Sequence, residues 1–178
     1  GEYRDALSAV PFDGLWLDVS YHWDILSVNS RMLDRTVPSA AETATAHDRA
    51  TVVDGTALGA DVQVRPGATV LPGTALGDNV EVGSNAVVAN AVVLPDATIG
   101  DGAVVRDCVV GENATIGPNT TVEGGETDVT VDGAVHEDVR LGAVVGDNAS
   151  VGGGGTVSPG TVLGNHGRVG SGGCGRGE

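Results

Sequence analysis

The sequence predicts an all-β chain, a parallel β-helix of stacked triangular coils, with a short strand and helix ahead of it. Three observations predict it. From Val52 an aliphatic residue opens a block every six positions, beginning with Val52, Leu58, Val64, Val70, Leu76 and Val82. Four positions later stands a small or slim residue, at Thr56, Val62, Ala68, Thr74, Val80 and Ala86. All the aromatic rings, Tyr3, Phe12, Trp16, Tyr21 and Trp23, precede this repeat.

Each block reads as a short β-segment that turns its opening aliphatic inward, followed by a turn. The turn needs Gly, Asn, Asp or Pro for its backbone angles, and these fill the middle of the blocks. The fourth position after the opener also faces the interior, so it must be small. The register continues with five-residue blocks starting at Val88 and Val105, one five and two sixes apart. A shortening that recurs every third block makes three blocks one coil, with one tighter corner. Stacked coils pair as parallel strands about 4.8 Å apart, and each buries the face of the next. An interior this narrow takes no aromatic ring.

The pattern breaks over 123–138, "EGGETDVTVDGAVHED", and its phase resumes at Val139. "DVTVDGAV" alternates about Asp132-Gly133, a hairpin signal, so this stretch is expected to be a protruding arm. In the last blocks Gly155, Gly167 and Gly173 stand where Ala or Thr belongs, so packing should fade and the C-terminus fray. Residues 35–50, with Pro38 and many small polar residues, read as a linker. The expected division is therefore 1–34, a linker over 35–50, and the β-helix over 51–178 with its arm.

Asp and Glu total 24 against nine basic residues, all Arg, for a net charge of −15. With no basic cluster, nucleic acid and anionic membranes are excluded as partners. No apolar run is long enough to span a bilayer. Abundant carboxylates without Lys fit a halophilic surface, one adapted to high salt, where screening limits self-repulsion. Cys108 and Cys174 form no disulfide framework and have no zinc-ligand spacing. They are expected to be free thiols in a cytoplasmic protein.

The blocks over 52–174 resemble the left-handed parallel β-helix of hexapeptide-repeat proteins, which implies the handedness and a homotrimer. "WLDVSYHWDILSVNSRML" (16–33) resembles the end of the catalytic domain of sugar-1-phosphate nucleotidyltransferases. Trp16, Asp18, Val19, Trp23, Asp24, Ile25, Leu26 and Asn29 carry the match, while Ser20 replaces a Gly and His22 a Pro. The resemblance implies that 1–34 is the C-terminal remnant of an α/β nucleotidyltransferase domain. It implies that NTP and sugar 1-phosphate are the substrates, NDP-sugar and pyrophosphate the products, and Mg2+ the cofactor, with Asp18 as a metal ligand. Ile25, Val28, Met32 and Leu33 fit one face of the helix that follows. The sequence has no G-x-G-T-R loop and no Lys to hold phosphates, and one carboxylate holds magnesium poorly. The chain is thus expected to be a separated fragment of the parent enzyme, inactive alone, whose β-helix serves assembly or regulation.

Two alternatives stand beside this reading. "RLGAVVGDNASVGGGGTVSPGTVLG" (140–164) resembles the acetyltransferase domain of bifunctional relatives, through Arg140, Leu141, Gly142, Gly146, Asp147, Pro159 and Gly160. That implies a coenzyme-A-dependent sugar N- or O-acetyltransferase using acetyl-CoA. Amine acylation needs a base of near-neutral pKa, and Asp101 stands where those relatives have His. His136 on the arm is the one substitute base, expected to be exposed and solvated. His47 and His166 lie in the linker and in a turn, and Cys108 is expected to pack. The second alternative is a non-catalytic trimerising β-helix.

Overall fold

The computed structural model describes residues 13–36 and 40–175. Tyr3, Phe12 and Pro38 lie outside the described residues, as does the very end of the C-terminus. The repeat folds as its spacing requires. The openers Val64, Val70, Val82, Val88, Ile99 and Val105 are buried in one continuous core, and so are Ala68, Ala86 and Ala103 at the small positions. Val62 and Val80 are fully buried as well, so Val is the largest side chain found at the small position among the first six blocks.

Each corner of the coil turns on a residue with left-handed backbone, and these residues stack from coil to coil. Asp61, Asn79, Asp96, Asn113 and Asn148 hold one corner, with φ between 54° and 60°. Asn85 (φ 58°) and Asn119 (φ 53°) alternate with glycines along a second. At the third, Gly73 gives way to Asn90 (φ 46°) and Asp107 (φ 50°) in the shortened blocks. L-residues other than Gly, Asn and Asp adopt this conformation at a cost, which explains the turn composition of the whole repeat. The corners are then bonded coil to coil. Asp78 Oδ1 accepts from the Ala60 N–H at 2.7 Å, Asp101 Oδ1 from Ser84 at 2.6 Å, and Asp147 Oδ1 from Glu112 at 2.9 Å.

One face forms a seven-stranded parallel sheet from Thr45–Ala46 to Arg168–Val169. The other two faces merge into one eleven-stranded sheet. They merge because Val87–Val93 and Val104–Val110 run unbroken through the tight corner, where the five-residue blocks leave no room for a full turn. Bonded partners in successive coils are 18 residues apart in the first coils and 17 across the shortened ones. Across the arm the step is 35 residues, and it then returns to 18.

The ends differ from expectation. Stacking begins inside the segment read as a linker: Thr45–Ala46 pairs parallel with Gln63–Val64, and Ala40 bridges Leu58. At the other end the coils do not fray within the described residues. Thr156–Val157 still pairs with Cys174–Gly175, because backbone pairing persists where side-chain packing thins.

Ahead of the coils, the helix Asp24–Arg35 is present, but residues 13–23 form no strand. The Asp24 carboxylate accepts from the N–H groups of Ser20 and Tyr21, at 3.0 and 2.8 Å, and so closes the turn that starts the helix. The helix lies along the tight corner. Its buried residues are Leu26 and Leu33, and Asn29 Nδ2 donates to the Gly73 carbonyl at 2.8 Å. The buried face is therefore rotated from the one expected, and Met32 is exposed.

Two changes test this account by urea denaturation. Ile99→Ala empties a fully buried site and should cost about 2–5 kcal/mol. Asn119→Ala places a Cβ-branchless but non-glycine residue at left-handed φ and should cost roughly 1 kcal/mol, whereas Asn119→Gly should be close to neutral.

Candidate functional site

The arm is an antiparallel hairpin of Glu126–Val131 and Ala134–Arg140. Its turn is Asp132-Gly133, both with positive φ (50° and 79°), the conformation that matches strand twist in a tight hairpin. The arm does not protrude freely. Val129 and Val139 bury with Leu141, Leu26, Val109 and Val144 in a second core outside the β-helix, and Trp23 packs against it. Val139, expected to open the resumed repeat, belongs to this second core, and the small position of its block, Ala143, enters the β-helix interior.

The root of the arm is tied to the tight corner. The Asp107 carbonyl accepts from the Gly142 N–H at 2.6 Å, and its carboxylate accepts from Asn90 Nδ2 at 2.5 Å. Arg140 spans Asp107 and Glu126 at 3.9 and 3.6 Å. These are long contacts of a largely exposed guanidinium, so each stabilises little.

The aromatic segment meets the arm at His136. Tyr21 and Trp23 stack with ring centroids 4.5 Å apart and planes 11° from parallel. His136 lies tilted against both, 4.5 Å from Tyr21 and 5.3 Å from Trp23. This corrects the expectation of a solvated His136. Its ring is half-buried, and its Nε2 is shielded with no hydrogen-bond partner. The imidazole leans against the side of the stacked pair and packs there. Tyr21 is the residue that sequence reasoning missed, because nothing in the repeat says which ring the arm will reach. The two tryptophans separate: Trp16 is 81% exposed, while Trp23 packs on the second core at the arm.

The other expected residues do not converge. Asp18 is exposed and accepts from the Ser20 hydroxyl at 2.9 Å. Among the described residues no three His, Cys, Asp or Glu side chains could share a metal ion. Asp18 belongs to no such set among the described residues. Asp101 is exposed and committed to the Ser84 amide. His47 Nδ1 accepts from the Arg49 N–H at 3.1 Å, and His166 occupies a left-handed corner at φ 60°. Between the Tyr21–Trp23 segment and the arm lies an open cleft of about 570 Å³.

Residues 52–174 match the family described as GMPPB C-terminal domain. The chain belongs to that family. Its left-handed hexapeptide β-helix is the C-terminal domain type of sugar nucleotidyltransferases. Comparison with curated proteins gives no match. Among solved structures, the acetyltransferase domain of PglB from Neisseria gonorrhoeae FA1090 is similar, with 20% identity and a TM-score of 0.53 over 79% of this chain and 60% of that one. The same domain in complex with acetyl coenzyme A gives 21% and 0.52 over 68% and 54%. PerB from Caulobacter crescentus, in complex with CoA and GDP-perosamine, gives 26% and 0.45 over 74% and 49%. The chain thus spans between half and three fifths of these structures, and the PglB likeness is one of fold.

In this GMPPB C-terminal domain the two thiols have opposite settings. Cys108 is fully buried in the β-helix, and Cys174 is exposed. Burial pushes the Cys108 thiol up from its usual 9.0 to about 12, partly opposed by a hydrogen bond from the Ala143 backbone. A thiol reagent should therefore modify one cysteine in the native protein and two in denaturant. Because the folded pKa is the higher, the buried thiol's contribution is complete below pH 9 and is lost as pH rises toward 12. Cys108→Ala should flatten that alkaline decline in urea midpoints. A Trp23→Leu, His136→Leu double-mutant cycle should give a coupling of about 0.5–1.5 kcal/mol.

Proposed function

We propose that this domain serves the assembly or regulation of a sugar-1-phosphate nucleotidyltransferase. The parent reaction joins a sugar 1-phosphate to a nucleoside triphosphate, giving an NDP-sugar and pyrophosphate with magnesium. The β-helix works as a homotrimer, on an acidic surface suited to high salt. What carries this reading is the family match across residues 52–174. It is supported by what the corners do chemically. The carboxylate at the acetyltransferase base position, Asp101, caps the neighbouring coil, and His136 braces aromatic rings. Both side chains are engaged within the chain, which supports the assembly reading over acylation.

Light scattering in molar salt tests the assembly role. A mass of three chains is expected, and a monomer would overturn it. Acetyl-CoA turnover with amino-sugar acceptors tests the chemistry. None is expected, and turnover abolished by His136→Ala would replace this reading with the acetyltransferase.

A further inference from the structure

We propose that the cleft between the Tyr21–Trp23 stack and the arm binds an uncharged sugar ring. The proposal is independent of the parent reaction, since it rests on this cleft alone. Its volume, about 570 Å³, lies within the ~300–1,000 Å³ of small-ligand sites. One wall is the Tyr21–Trp23 stack. His136 is tilted to both rings at similar distances, so it braces the side of the stack and does not cap an outer face. The C–H face of a pyranose packs on such a ring.

The apolar floor is formed by Val131, Leu141 and Val162. Val162 is 53% exposed, although it lies beside a buried core. At the rim stand the exposed residues His22 and Asp132, together with Ser20, whose hydroxyl donates to Asp18 and keeps its lone pairs as acceptors. Together they offer donors and acceptors in the mixture that sugar hydroxyls require. No Arg lines the cleft among the described residues, and the chain carries −15. A phosphorylated sugar or a nucleotide is therefore repelled. An organic cation would find one carboxylate at the solvent edge and no enclosing cage, leaving the imidazole unused.

The test uses the full chain carrying Trp16→Phe, so that Trp23 is the sole tryptophan. Its emission is titrated with the methyl α-pyranosides of mannose, glucose and galactose, with tetramethylammonium and a hexose 1-phosphate in parallel. At least one glycoside should give a saturable change. Asp132→Asn, at an exposed turn whose φ of 50° suits Asn, should raise its Kd by about tenfold, the loss of one charge-assisted hydrogen bond. Failure of all three glycosides to saturate would overturn the proposal. So would an unchanged Kd in Asp132→Asn, or tighter binding of tetramethylammonium or the phosphate.

Discussion

The structure depends on one constraint, a chain that must turn three times per coil around an interior too narrow for a ring. The turns demand left-handed backbone, so Asn, Asp and Gly recur at the corners. The interior demands short aliphatics, so Val, Ala and Ile fill it. Stacking then aligns every corner with the one below, and the carboxylates placed there have amides to accept from. Composition, charge and hydrogen bonding are in this sense consequences of a single geometry. Acidic side chains at the corners cap backbone, and the same carboxylates supply part of the net charge.

The same geometry explains what was legible. The six-residue period, the five-residue blocks at Val88 and Val105 and the small fourth positions are direct records of the coil, and all appear as read. The Asp132-Gly133 hairpin was equally readable, because its turn chemistry is local. The contacts between separate elements were not. Nothing periodic says that the arm folds back, that Leu26 rather than Ile25 faces the tight corner, or that His136 reaches Tyr21. Those depend on where the helix lies, which is fixed by shape and by the Asn29–Gly73 bond. The start of the first coil was missed for a related reason. Its opener positions hold Ala40 and Ala46, in register with Leu58 and Val64, so its sequence lacks the larger aliphatics that mark later coils.

Two of the rings at the N-terminal end also find a physical place. Excluded from the β-helix, Trp23 packs against the second core with Tyr21 stacked on it, where a helix, a hairpin and the outer side of the sheet meet. The described residues thus form two cores with different rules. One is aliphatic, repetitive and closed. The other is smaller, aromatic at its edge and bordered by the open cleft.

The arm leaves the coil and returns to it without disturbing the stack on either side. Thr115–Ile116 still pairs with Ser150–Val151 across a 35-residue step, and the coils below keep their spacing. Such a corner is a port in the scaffold. A lineage can lengthen, shorten or rewrite what emerges there while the solenoid folds as before. New specificity can therefore evolve on this side of the molecule without putting the fold at risk.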